Sequence, residues 1–554
     1  MKKIMDWWKA ESGLSVEKRY VTLVKSLLLA LLPVVCCAAY CAVQGRSLGE
    51  VYLPSSEWND ELFYYKQVEG IVNYGYPLGY FGFNESHALK LSFAAWSPVL
   101  VFPWIIWGLL FGWNFLSPVI CNIVLMTLVC FLFVWLARPS WKQLGILVLL
   151  FCLYTPFVRY MLSGMPEVIC FFMLILFYSM AINYLRREKS YKLVLLFLLS
   201  GVMTLMRPYM ILFLLLPAGL WIQKSKWKGV AGSLAVTAAV LGLYYCIKHF
   251  FGAEYFAPLF FTDWVSAFFE QGFFGGLRYT LAKLYYMGKD FGGHTVQGLR
   301  TGLASGAFFA GYLVCMCVLM AQSFRDWRVI RRDSMEKEQR EAQNLGGAET
   351  GKRTGINKSQ LIIEAHLAFS FVAMLFALLL MYKLTEGSKH LLTFMAAAVF
   401  VVSLMDTKFY KKAVLVGAAF AYLYSYMAVE PYDYQVPFVQ EERMASVEEW
   451  RQQFAGLLTL RQEEAPNYEN VVIWTFSDTV NDVSMNTQWQ LLYALPEGFG
   501  ISCCMPDYVL QNFDFLESRY LVSPAGGAVD ALCQESGCKE LYRDDVMVLY
   551  ERIK

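Results

Sequence analysis

Charge is what this sequence is short of. Only 17% of its 554 residues are Asp, Glu, Lys or Arg, against roughly 25% in soluble domains, while 57% are hydrophobic. The apolar runs are too long and too many to be buried in one soluble core, which excludes a soluble globular protein. The formal net charge of +2 says nothing about nucleic acid, but no basic groove carries base-stacking aromatics, so nucleic acid is not an expected partner. No cysteine spacing makes a zinc signature, no small-residue cleavage site follows the first apolar run, and no inverted repeat of the transporter kind is present. Ten of the fourteen cysteines lie in apolar segments and read as packing residues. The other four, Cys503, Cys504, Cys533 and Cys538, fall in the tail, where Cys533 and Cys538 could pair if the tail lies outside the cell.

What is there is a succession of apolar runs. A basic, Trp-containing lead precedes the run at 22–43, which reads as a retained first helix with its positive flank in the cytoplasm. Further runs follow at 96–113, 117–137, 143–158, 167–184, 193–206, 209–222, 229–250, 302–322, 361–382, 391–406 and 412–429. Keeping the basic connectors 138–142, 186–192, 224–228, 325–358 and 408–412 inside predicts a polytopic, mainly α-helical bundle of about 11–12 spans. Its N-terminus is cytoplasmic and its C-terminus extracytoplasmic, in a bacterial plasma (inner) membrane. The run 96–113, broken by Pro98 and Pro103 and carrying Trp96, Trp104, Trp107 and Trp113, is predicted to lie at the interface without crossing. The runs flanking Arg207–Pro208 are predicted to form a short hairpin that leaves Arg207 near the outer face.

Residues 1–429 thus read as a transmembrane catalytic domain, with a first outer loop at 45–95. A second outer loop, 251–300, is amphipathic, aromatic and suited to lying on lipid. The polar stretch 323–360 reads as a flexible cytoplasmic linker. From 430 the composition turns soluble, and strand-like runs at 470–476, 519–523 and 546–550 predict a small extracytoplasmic α/β domain over 430–554.

The stretch from Glu57 to Pro98 is far longer than joining two helices requires. It carries Glu57, Asp60, Glu61, Glu69, Glu85 and His87. Asp60 and Glu61 open a helix-like segment, where acids complement the dipole. A carboxylate at a membrane surface is also suited to general-base work, and Tyr64 shares a helical face with Asp60. Glu85 and His87, in F-N-E-S-H-A, are candidates for substrate contact. Charges inside apolar sequence are costly and so mark function, which singles out Arg159, Arg207 and Lys389 as cations for an anionic lipid head.

The motif W-N-D-E-L-F-Y-Y, followed by V-E-G-I-V-N-Y-G-Y-P, S-P-V-L and L-F-G-W, resembles the first outer loop of GT-C glycosyltransferases. The protein O-mannosyltransferases and aminoarabinose transferases are the nearest in pattern. S-G-M-P-E resembles the family's second acidic motif, T-L-M-R-P-Y its Arg-Pro-Tyr segment, and G-S-K-H-L-L-T-F a late basic-aromatic motif. Where the aminoarabinose enzymes have Glu-Lys-Pro-Pro-Leu, this chain reads A-W-S-P-V-L. The resemblance implies inverting transfer of a sugar from a polyprenyl-phosphate donor to an extracytoplasmic glycan, lipid or protein acceptor. It places Asp60 as the base and Glu167 as the second acid, with Glu61 beside them. It maps Arg207, Lys389 and His390 onto its basic motifs; with Tyr64, Glu85, His87 and Arg159, singled out above from their own positions, they make the expected substrate-binding set. Membrane lipid is an expected partner. No cofactor is certain, and a divalent cation is left open because no carboxylate spacing is diagnostic. The competing classes are a transporter or flippase of lipid-linked glycans and a polymerase or ligase of such glycans.

Overall fold

The computed structural model describes residues 16–56, 59–75, 82–85, 96–251, 261–301, 304–342, 358–382, 388–405, 436–461, 470–475, 492–496 and 498–553. The run at 412–429, and His87, lie outside the described residues.

Helices dominate. α1 (Val16–Val43) is followed by α2 (Asn59–Tyr74) in the first loop and by the two-residue strand β1 (Gly82–Phe83). The bundle continues with α3 (Phe102–Phe111), α4 (Ser117–Ala137), α5 (Trp141–Leu153), the short α6 (Pro156–Met161), α7 (Glu167–Arg186) and α8 (Ser190–Met206). α9 (Leu215–Phe251), α10 (Asp263–Glu270), α11 (Gly272–Thr301), α12 (Ala304–Ala342), α13 (Lys358–Met381) and α14 (Ser388–Ser403) complete it. Among the described residues, five segments are long and apolar enough to cross a membrane: Lys18–Val43, Ser117–Ala137, Glu167–Arg186, Pro208–Phe250 and Ser359–Met381. The chain is a membrane-embedded helical protein.

The segment Pro208–Phe250 is two limbs. Lys226 has φ 41° and ψ −115°, outside helical geometry, and a Cβ on Gly229 would lie 2.7 Å from the Ile222 backbone. The chain therefore doubles back at Lys226, and only a residue without a side chain fits the crossing at 229. Before it, Arg207 sits at another reversal: the Ser200 hydroxyl of α8 bonds to the Phe213 carbonyl, and Phe197 stacks edge-on to Trp221.

α3 has ten residues, about 15 Å at ~1.5 Å per residue, too short to span. Its tryptophans do not all seek the interface, however. Trp104 is fully buried, because its indole nitrogen donates to Asn122 Oδ1 at 3.0 Å; Trp96 is buried too. Residues 323–342, polar enough to read as a linker, continue α12 as helix. Their E-K-E-Q-R-E-A composition is rich in helix formers, and Arg328 and Arg331 stack one turn on, over Phe324 and Trp327.

The tail carries α15 (Glu441–Leu457), β2 (Val471–Thr475), β3 (Gly500–Cys504), α16 (Pro506–Asn512), β4 (Tyr520–Pro524), α17 (Ala528–Glu535), β5 (Lys539–Arg543) and β6 (Met547–Glu551). Its six-stranded sheet has the order β1-β3-β2-β4-β6-β5. The first four are parallel, and β6 and β5 run antiparallel. Alternation decides the two faces. Val472, Trp474, Val522 and Leu549 face α15 through Trp450 and Phe454, while Ile473, Leu521 and Val548 face α16 and α17 through Val509, Val529 and Cys533. Cys533 and Cys538 are both free thiols.

The first loop is built into this domain. β1 pairs Gly82 with Ser502 and Phe83 with Cys503, Val51 bridges Phe438, and Leu53, Leu62 and Tyr65 join the core formed by Trp450, Val472 and Trp474. Loop and tail thereby form one cap on the bundle.

Candidate active site

Asp60 and Glu61 both stand in the first turn of α2, yet they meet different surroundings, since neighbouring residues on a helix point about 100° apart. Asp60 is half-buried. Glu61 is 0% exposed and turns onto the S-G-M segment between α6 and α7. The Gly164 amide donates to Glu61 Oε1 at 3.2 Å, and Arg159 Nη1 stands 3.9 Å from the same oxygen. Burial pushes the Glu61 carboxyl up to about 7, against the opposing pull of Arg159, Ser56 and the Gly164 amide.

The turn that delivers Gly164 is held by a residue the sequence reading passed over. Asn122, inside the apolar helix α4, donates through Nδ2 to the carbonyls of Ser163 and Tyr160 at 3.1 and 3.3 Å and accepts from Trp104. A polar side chain in a span is costly unless it is bonded, and that cost was the signal available for finding it. Gly164 itself permits the approach: a Cβ there would lie 3.1 Å from Leu53 Cδ1 and 3.2 Å from Glu61 Cβ.

A second buried carboxylate stands beside the first. Glu167 opens α7, and its Oε1 accepts from Arg207 Nη2 at 2.7 Å. The other arm of Arg207 lies 2.9 Å from His390 Nδ1 and donates to the Tyr209 hydroxyl at 3.2 Å. Trp96 covers the guanidinium at 5.1 Å, and Tyr382 stands edge-on to His390 at 4.9 Å. Trp96 is thus part of an aromatic wall against Arg207 and His390. Neither Arg159 nor Arg207 snorkels to the surface; each faces a glutamate.

Tyr64 connects the two groups. It is buried, and its hydroxyl is held well above the usual phenol range, first by burial, then by the charges of Asp60 and Glu167, with Arg207 opposing. Asp60 and the Glu167–Arg207 pair are thus each within electrostatic reach of Tyr64. His390 occupies the first turn of α14 together with Lys389. Lys66, also unmarked by the sequence, is buried in α2 against Glu69 at 2.8 Å.

Glu85 stands elsewhere, at the joint between loop and sheet. Asn84 and Glu85 both have positive φ, and the Glu85 amide donates to Ser502 Oγ at 2.9 Å. Its carboxylate accepts from the amides of Ser518 at 2.7 Å and Glu517 at 3.0 Å. Among the described residues, no group of three or more His, Cys, Asp or Glu side chains is arranged to hold a metal ion.

No family model and no curated protein matches the chain. Among solved structures it aligns with ArnT from Cupriavidus metallidurans in the apo state, over 97% of this chain and 98% of that one, with 12% identity and a TM-score of 0.40. ArnT from the same organism bound to undecaprenyl phosphate aligns over 94% and 97%, with 11% identity and a TM-score of 0.40. The archaeal oligosaccharyltransferase AglB from Archaeoglobus fulgidus, in complex with an inhibitory peptide and a dolichol-phosphate, aligns over 92% of this chain and 70% of that one, with 13% identity and a TM-score of 0.41. The fold described above rests on the chain's own helices and sheet.

Proposed function

We propose that this protein transfers a sugar from a polyprenyl-phosphate donor to an acceptor on the non-cytoplasmic side of the membrane, with inversion at the anomeric carbon. The observation that carries this reading is the grouping of half-buried Asp60 with Tyr64 and the buried Glu167–Arg207 pair, at the end of the bundle capped by loop and tail. Asp60 accepts the proton of the acceptor's nucleophile. The freed electron pair attacks the anomeric carbon from one face, the bond to the phosphate oxygen breaks on the other, and polyprenyl phosphate departs with that electron pair. A single displacement inverts the centre.

The phosphate acquires charge as it leaves and needs cations fixed in advance. Arg207 is already oriented by Glu167 and His390. Arg159, 3.9 Å from Glu61, supplies a second buried cation for the phosphate. Lys389 adds a third charge on α14. A glycan, a lipid or a protein fits as acceptor.

The test is lipid and glycan mass spectrometry on cells carrying Asp60→Asn. One glycosylated polyprenyl phosphate should accumulate while the protein's abundance and melting temperature stay at the wild-type level. Continued transfer by the variant would remove Asp60 from the mechanism.

A further inference from the structure

A polar cavity lies at the end of the bundle opposite Glu167. α7 begins at Glu167 and ends at Arg186, so the two ends are about 28 Å apart at ~1.5 Å per residue. α14 likewise runs from His390 at one end to Ser403 at the other. At the far end, a cavity of about 650 Å³ has a polar wall of Gln143, Arg186, Ser359 and Gln360 and an apolar wall that includes Ile182, Ile363 and Val401.

Its electrostatics favour an anion. Among the described residues, none lining it is acidic, and Arg186 is cationic. Arg138, at the turn between α4 and α5, is close enough for its charge to act on Arg186 and adds to the positive potential at this end of the bundle. α5 starts beside the cavity at Trp141 and α13 at Lys358, so two helix N-termini add partial positive charge. Gln143 is held in place, donating through Nε2 to the Leu404 carbonyl at 2.6 Å. Glu364, buried one turn beyond Gln360, has its carboxylate engaged by the Gln360 amide at 2.6 Å.

The apolar wall decides the rest. A bare phosphate would leave the half-buried Ile182, Leu185 and Leu404 of that wall facing water, whereas a phosphate carrying a hydrocarbon chain covers them. We propose that this cavity binds the phosphate head and proximal chain of an anionic membrane phospholipid, at a site separate from the one where transfer occurs.

The test needs no transfer assay, so its outcome is independent of the reading above. Full-length protein in phosphatidylcholine nanodiscs is titrated with phosphatidylglycerol, and retained lipid is counted by native mass spectrometry. Wild type should keep one phosphatidylglycerol that Arg186→Gln binds at least about tenfold more weakly, as loss of a charge-assisted contact implies. Arg278→Gln, which removes an exposed cation on α11, should match wild type. Val401→Trp fills the cavity while leaving its cations in place, and should also lose the lipid; it serves if Arg186→Gln fails to fold. Equal retention by wild type and both cavity variants overturns the proposal. So does Arg186-dependent binding of inorganic phosphate with no preference for phosphatidylglycerol, which would make this a free-phosphate site.

Discussion

Glu167 and Arg207 face each other at 2.7 Å, each about 1% exposed. Breaking such a pair from one side leaves an uncompensated charge in a low-dielectric interior, at a cost of about 3–5 kcal/mol. Glu167→Gln and Arg207→Gln should each lower the melting temperature in detergent sharply. The double variant should be more stable than the sum of the single losses implies. Arg207→Lys should not rescue, because one ammonium cannot reach Glu167 and His390 together as the planar fork does. Additive losses in the double variant would show that the pair is not coupled.

Glu61 gives the protein a pH dependence of defined sign. Its folded carboxyl titrates at about 7, above the ordinary 4.5. Between those values the folded state holds a proton that the unfolded chain has released, so stability falls as pH rises through this window. Glu61→Gln stays neutral throughout and should flatten the melting profile between about pH 4.5 and 7. An unchanged profile would place Glu61 in a wetter setting than the structure gives it.

Gly164→Ala tests the close approach of the α6–α7 turn to α2. The added methyl meets Leu53 and Glu61 at 3.1–3.2 Å, an overpacking worth about 1–3 kcal/mol. The expected result is a lower melting temperature together with reduced transfer, since the turn that donates to Glu61 must retreat. Wild-type behaviour in both measurements would mean that the turn yields freely.

Glu85→Gln tests the joint between loop and sheet. A charged acceptor bonded to two amides is worth about 1.5–3 kcal/mol per bond. Hydrogen exchange at the amides of Glu517 and Ser518 should accelerate in the variant while β4 and β6 stay protected. Unaltered exchange at both amides would count against the joint.

The sequence made the apolar helices legible because length and composition suffice to mark them, and it made β2, β4 and β6 legible because buried parallel and central strands are continuous apolar runs. β5 escaped because an edge strand is polar, as K-E-L-Y-R is. β1 and β3 escaped because a two-residue strand and G-I-S-C-C carry almost no pattern. Asp60, Glu61 and Arg207 were legible as charges beside apolar sequence, and Glu167 through the likeness of S-G-M-P-E to an acidic motif. Their pairing was not, since Glu61 reaches across a hundred residues to Gly164. Nor could composition announce that Trp96 and Tyr209 would meet a guanidinium when aromatics are abundant everywhere in the chain.

The edge strand donated by the first loop sets an order of events during synthesis. Gly82 and Phe83 leave the ribosome more than four hundred residues ahead of Ser502 and Cys503, their partners. Until those late residues emerge, the cap over Asp60 and Tyr64 has no sheet to close against. A nascent chain halted short of its last hundred residues should therefore carry every cation and carboxylate of the centre and still lack the walls that keep water from them.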